Sequence, residues 1–260
     1  MNMRKSRVLA KMRKGETAIS MKLNLTCARG AEIAAMCGCD CIWIDMEHCP
    51  ATYQTVEEII RAAKIYDVDV LTRVARGSYN DLIRPLEADS AGIMVPHLMS
   101  LKEAKEIVYY TKFHPIGRRP LDGGNADGKF CMVPGADYMK QANEERFVVV
   151  QIEDPEPLED LEEICKLPGI DMIFFGPADF TQGIGAPLDF GNKKVSETRE
   201  LIAKTAKKYG KFAGTTGSAD NIKELSEMGY DFVNIGSDVT YLAPCYQNDV
   251  AAAKKSLGQD

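Results

Sequence analysis

Eight short apolar segments recur along these 260 residues, and each is followed by a stretch with helical spacing. This alternation constrains the fold more than any single motif does. Parallel strands require a crossover, the crossover is usually a helix, and its hand is right-handed. The segments span 17–23, the run opening at Cys41 and ending in Asp45, Glu47 and His48, 68–74, 92–96, 146–153, 170–175, 211–216 and 231–236. Helical patterns fill 27–37, 52–66, 80–88, 101–110, 136–144, 158–166, 196–209, 219–228 and 239–255, with a leading helix over 3–13. In the second of these, Val56, Ile59, Ile60 and Ala63 share one helical face. Eight such units close into a (β/α)8 TIM barrel of about 250 residues, so one domain over 1–260 is expected. The competing architecture is an open doubly wound sheet. It lacks its glycine-rich first turn, because Gly30 and Gly38 do not form G-x-G-x-x-G.

Composition narrows the class. An apolar fraction of 45% and a net charge of -6 describe a globular chain without the clustered Lys and Arg that nucleic acid or anionic membranes select. No apolar run approaches the roughly 20 residues of a membrane span, and 1–14 has no signal-peptide apolar stretch, so a cytoplasmic protein is expected. The eight cysteines are expected to be reduced; Cys37, Cys39 and Cys41 alternate rather than forming C-x-x-C pairs, which argues against structural zinc. Cys49 beside His48 is a weaker candidate for a nucleophile than for a packed thiol.

In a parallel barrel the active site lies at the C-terminal ends of the strands. The polar residues expected there are Asp45, Glu47 and His48 after the second strand, Arg73 after the third, Gln151 and Glu153 after the fifth, and Asp179 after the sixth. Two carboxylates aimed at one mouth need a cation or a proton between them. Oxygen ligation by Glu153 and Asp179 suits Mg2+ or Mn2+, with Co2+ as a further candidate, and leaves room for a chelating 2-oxo acid. Arg73 is placed to stabilise a developing enolate oxygen. The turn Gly176-Pro177-Ala178-Asp179 is placed to offer backbone N–H groups to the substrate carboxylate. His48, oriented by Asp45, is the candidate base, with Glu47 in support at the rim. His97 and His114 are assigned surface or packing roles, and Trp43 a core role.

These residues, in this order, resemble the HpcH/HpaI aldolases, metal-dependent class II enzymes acting on 4-hydroxy-2-oxo acids. The resemblance is carried by Ile44-Asp45-Met46-Glu47-His48-Cys49-Pro50, Arg73-Val74, Gly92-Ile93-Met94-Val95-Pro96, Gly117-Arg118, Gln151-Ile152-Glu153, Gly176-Pro177-Ala178-Asp179 and Gly236-Ser237-Asp238. It implies a lyase that reversibly cleaves a 4-hydroxy-2-oxo acid, of the 2-keto-3-deoxy sugar acid or diacid type, to pyruvate and an aldehyde. Glu153 and Asp179 are the implied metal ligands, Arg73, His48 and Asp45 the catalytic group, and Gln151, Gly176, Pro177, Ala178 and Arg118 the substrate contacts. It also implies a dimer-based homo-oligomer, up to a hexamer, with the C-terminal helix exchanged between subunits. Departures from the family pattern fall at 75–78, at His97, where an apolar residue is common, and at Arg119-Pro120. Those positions, and the glycine-rich 113–134 loop, are expected to meet the aldehyde half of the substrate.

Three other readings compete. One is a citrate-lyase-like enzyme acting on an acyl-CoA ester. A second is a sugar-phosphate isomerase or decarboxylase, with the loops after strands seven and eight holding phosphate. The third is a metabolite-binding barrel without turnover.

Overall fold

The computed structural model describes residues 1–259. Eight parallel strands close in sequence order: β1 (Ala18–Leu23), β2 (Cys41–Asp45), β3 (Asp69–Arg73), β4 (Gly92–Val95), β5 (Phe147–Ile152), β6 (Met172–Phe175), β7 (Phe212–Thr216) and β8 (Phe232–Ser237), with β8 returning to pair with β1. The helices are α1 (Arg7–Met12), α2 (Ala28–Met36), α3 (Tyr53–Lys64), α4 (Tyr79–Glu87), α5 (Leu101–Thr111), α6 (Gly135–Glu145), α7 (Leu161–Lys166), α8 (Pro177–Gly183), α9 (Lys193–Lys208), α10 (Ile222–Met228) and α11 (Asp238–Ser256). All eight expected strands form. The turn expected at 176–179 is instead the start of α8, and the leading helix is confined to α1, capped by the Ser6 hydroxyl accepting from the Leu9 N–H.

Strand periodicity decides what each side chain meets. In β2, Ile42 and Ile44 point outward and pack with Val56, Ile59 and Ile60 of α3. Cys41 and Trp43 alternate with them and point inward, into a cluster with Leu71, Met94, Phe147, Val149, Met172, Phe174 and Phe232. Both faces are apolar, so the strands show continuous hydrophobic runs instead of a clean alternation. Trp43 meets Phe174 edge to face at 5.6 Å between centroids, as expected of a core residue.

The N-terminal mouth of the barrel is closed by α1, whose Val8, Leu9 and Met12 join the interior cluster. Charge holds that plug in place. The buried Asp69 carboxylate accepts from the Ser6 hydroxyl at 2.6 Å, the Val8 N–H at 2.9 Å and Arg4 at 2.6 Å. Asp40 likewise accepts from Lys11 at 2.7 Å and the Ile19 N–H at 2.9 Å.

The 113–134 loop packs on this same closed face, which corrects its expected place at the substrate rim. It leaves the C-terminal end of α5, and a helix that follows a strand in a right-handed unit ends at the N-terminal face. Arg119 is buried there against Asp127 at 2.9 Å and the Tyr138 hydroxyl at 3.1 Å, while Met3, Phe113, Val133 and Tyr138 form a small cluster. At the other end of the chain, α11 contains no buried residue and exposes Tyr241, Tyr246 and Val250. No described helix is long and apolar enough to cross a membrane.

Asp69→Ala removes one acceptor from three donors in a buried setting. A loss of about 3 kcal/mol or more is expected, against about 1 kcal/mol for Ser6→Ala, which breaks a single hydroxyl bond. Parallel urea denaturation of the two variants checks the ranking; equal losses would contradict a charge-anchored plug.

Candidate active site

The C-terminal ends of β2 and β3 are in register, with Asp45 opposite Arg73. Both side chains point into the barrel mouth, and the pair is bidentate: Arg73 Nε donates to Asp45 Oδ1 at 2.9 Å and Nη2 to Oδ2 at 2.6 Å. Lys22, inward-facing near the end of β1, approaches Asp45 Oδ2 at 2.7 Å. Burial works against an ionised Asp45, but the bonds and charges of Arg73 and Lys22 outweigh it and hold its carboxyl well below the usual range. Arg73 and Lys22 both lie over the Trp43 ring, at 5.0 and 5.4 Å.

The remaining nitrogen of Arg73, Nη1, lies 3.1 Å from Glu47. Glu47 is also 3.6 Å from His48 Nε2 and 3.7 Å from His97 Nε2. The expected Asp45–His48 partnership is therefore corrected. Asp45 receives only the backbone N–H of His48, at 3.4 Å, because both its oxygens face Arg73 and Lys22; the exposed imidazole has Glu47 as its neighbouring acid. Cys49 is no activated thiol: burial and the Asp45 charge push its pKa up. All eight cysteines are free.

Across the mouth, Glu153 follows β5 and is 1% exposed. One carboxylate oxygen accepts the His97 N–H at 2.8 Å, and the other takes a short hydrogen bond from the Gln151 amide. Gln151 Oε1 is buried without a partner. Burial pushes the Glu153 carboxyl up to about 7, against the opposing effects of the His97 N–H, His97 and Arg73. Asp179 sits in the first turn of α8 and accepts from Gln182 at 3.0 Å. One ligand atom from each of His97, Glu153 and Asp179 lies within 4.8 Å of the others.

Gly176 allows this approach. A Cβ there would stand 2.7 Å from both Gln151 Nε2 and Glu153 Oε2, and 2.9 Å from Glu153 Cβ. The Gly176 N–H is bonded to Ile152 O, and Pro177 has none, so the first-turn amides of Ala178 and Asp179 are the donors this corner can offer.

All seven side chains expected at the mouth, Asp45, Glu47, His48, Arg73, Gln151, Glu153 and Asp179, lie there. Arg118 does not join them. Its backbone is tied to Tyr109 O at the end of α5, on the closed face, and its side chain is exposed. His97, expected to be a surface or packing residue, is inside the acidic cluster, and its Nδ1 is 2.8 Å from Asp154. Lys22 and Asp154 were also missed. Inward parity along β1 marked Lys22, which shares a face with Ala18 and Ser20. For His97 the signal was its place directly after an apolar strand end, the position that carries chemistry on the neighbouring strands.

On side chains alone, Asp45, Glu47, Glu153, Asp154 and Asp179 outnumber the permanent cations Lys22 and Arg73. A buried carboxylate with a raised pKa and a half-exposed one facing it fit a divalent cation, which would reverse the desolvation penalty on Glu153.

Comparison with known proteins fits this arrangement. The family model described as HpcH/HpaI aldolase/citrate lyase matches residues 20–244. A 2-keto-3-deoxy-L-rhamnonate aldolase of Klebsiella pneumoniae is 31% identical over 248 residues, covering 95% of this chain and 92% of its own. The Escherichia coli protein of the same name is 30% identical, with 94% and 91% covered. Among solved structures, an HpcH/HpaI aldolase from Desulfitobacterium hafniense superposes with a TM-score of 0.89 at 26% identity, covering 95% and 96% of the two chains. A citrate synthase superposes at 0.87 and 25% identity, covering 96% and 98%.

The depressed pKa of Asp45 fixes the sign of an acid effect. Its stabilisation is complete above the unfolded value of about 3.9 and is lost as pH falls towards the lower folded value. Asp45→Asn is expected to unfold more easily at neutral pH, because Arg73 and Lys22 lose their buried partner, and to show a flatter stability profile below about pH 4. Wild-type and variant profiles that stay parallel through that range would contradict the assignment.

Proposed function

The chain belongs to the HpcH/HpaI aldolase/citrate lyase family, and we propose that it cleaves a 2-keto-3-deoxy sugar acid, or a related 4-hydroxy-2-oxo acid, to pyruvate and an aldehyde. It is a carbon–carbon lyase of a metal-dependent family. The observation that carries the substrate reading is the buried Glu153 facing Asp179 beside Arg73, an acidic corner matched to a cation and a neighbouring positive charge matched to an oxyanion. We assign the cation to Glu153 and Asp179, with Mg2+ or Mn2+ suiting the carboxylate donors and Co2+ a further candidate. When bound, it supplies Lewis acidity to a 2-oxo group.

The chain's own residues do the rest of the work in this reading. Ala178 and Asp179 N–H groups receive the substrate carboxylate, where Gly176 and Pro177 shape the corner and Gln151 lines it. Arg73, aimed by its bidentate bond to Asp45, stabilises the negative charge that grows on the enolate oxygen as the bond between C3 and C4 breaks. His48, at the open rim beside Glu47, takes the proton of the 4-hydroxyl, and a proton delivered to C3 completes pyruvate. The departing aldehyde then meets the 75–78 loop, where Arg76 is held by Glu103 at 2.5 Å.

We further propose a homo-oligomer built on dimers, supported by the unburied α11 with its exposed tyrosines, and a cytoplasmic enzyme.

Four measurements test this function. Wild-type protein with Mn2+ is expected to exchange the methyl protons of pyruvate with D2O, and Glu153→Ala to abolish exchange; a variant that still exchanges would sink the metal assignment. His48→Asn should slow retro-aldol cleavage by about 10²-fold or more while metal affinity stays unchanged. Gly176→Ala is expected to weaken Mn2+ binding by about tenfold, since the new methyl displaces Glu153. Turnover of malyl-CoA with no cleavage of 4-hydroxy-2-oxo acids would move the protein to the acyl-CoA branch.

A further inference from the structure

His97 sits in an unusual backbone state for a residue that merely fills space. Its φ is +48°, in the left-handed region that side chains enter at a cost and that persists where the surroundings require it. The surroundings are specific. The His97 N–H binds one oxygen of Glu153 at 2.8 Å, which ties the backbone to the carboxylate beside its own ring. Its Nδ1 lies 2.8 Å from Asp154 Oδ2. A carboxylate can only accept, so Nδ1 carries the proton and, in neutral imidazole, the lone pair is left on Nε2. That nitrogen lies 3.7 Å from both Glu153 and Glu47, and a ring nitrogen of His97 lies within the 4.8 Å cluster that includes Asp179.

We propose that His97 Nε2 is a third protein ligand to the divalent cation, with Asp154 as the positioning residue that fixes its tautomer. A carboxylate behind the imidazole is the form in which metal-bound histidines are usually oriented, and Asp154 holds that place behind His97. It rests on the reading of Glu153 and Asp179 as ligands and adds a nitrogen to that oxygen pair. The consequence is selectivity: imidazole suits Co2+, Ni2+ and Zn2+, whereas Mg2+ gains little from it. A site of two carboxylates and one imidazole therefore discriminates among cations more sharply than two carboxylates do.

The alternative for this ring is a proton carrier with Asp154 behind it. That role leaves Nε2 off the cation, so the two are separable by spectroscopy. The chain has three histidines, His48, His97 and His114, which makes nitrogen signals assignable.

The test uses metal-stripped full-length protein titrated with MnCl2, NiCl2 and MgCl2. Pulsed EPR of the Mn2+ form should show imidazole 14N modulation in wild type and in His48→Asn, and none in His97→Asn; asparagine is chosen because it also tolerates the left-handed backbone. By calorimetry, His97→Asn should weaken Ni2+ binding by about tenfold or more and Mg2+ binding by less than about threefold. Asp154→Asn should keep the 14N signal with weaker Ni2+ binding. Thermal melts of each variant report folding separately. Wild-type protein without 14N modulation, or His97→Asn that retains it, overturns the proposal. If Glu153→Ala binds Mn2+ as wild type does, the carboxylate reading beneath it fails instead.

Discussion

The Asp45–Arg73 pair is the interaction on which the mouth of this barrel depends. Two fully buried ions at the ends of adjacent strands would be costly apart, yet in register they form two parallel hydrogen bonds. Strand parity puts Lys22 on the same carboxylate and Trp43 beneath both cations. Asp45 is thereby saturated, and it cannot also orient His48. What it does is fix the guanidinium so that one nitrogen is left towards Glu47 and the acidic side of the mouth. The positive and negative halves of the site are held apart by that single constraint.

The two faces of the barrel use charge differently. On the closed face, Asp69, Asp40 and Asp127 are each satisfied by several donors, and Arg146 joins Asp89 at 2.5 Å. On the open face, Gln151 Oε1 and Asn234 Oδ1 are buried without partners. Unsatisfied buried polar atoms cost about 1–3 kcal/mol each in a fold that needs nothing more from them. Arg4, Arg119 and Arg146 leave buried nitrogens unpartnered on the closed face as well, whereas the two open-face atoms are acceptors at the strands' C-terminal ends, where ligands bind in this fold.

How much of this was legible depended on periodicity. The eight strands were readable because each is an apolar run bounded by polar or glycine-rich turns, with β2 to β6 buried on both faces, and strand-end position alone located Asp45, Arg73, Gln151 and Glu153. Asp179 was found with them, although the sequence around it was read as a turn and folds as the start of α8. The 113–134 loop was misplaced because glycine and charge say that a segment is a loop but not which face it covers. Connectivity says that: a segment following a helix starts on the closed face. His97 was hidden for a different reason. Its φ and its contacts with Glu153 and Asp154 come from the loop after β4 meeting the end of β5, a long-range event of which the local pattern shows only that His97 follows an apolar strand end.

The acidic excess at the mouth bears on how open such a site can remain. Each carboxylate added near Glu153 raises the cost of keeping that group ionised and sharpens the demand for a cation. Glu47 does this, and both Glu47 and Asp154 lie against His97. Burial alone would keep that ring neutral, but the bond to Asp154 and the charges of Glu153, Asp154 and Glu47 raise its pKa. The ring thus stands between acids as a cation of its own or as a donor to a larger one. At the proposed site, a divalent ion would settle the competition in favour of the neutral ring, because it would supply to Glu153 and Asp179 the positive charge that a protonated His97 otherwise provides. In the proposed reaction the Arg73 side is then free of that proton, and the exposed His48 beside Glu47 is the base at the rim.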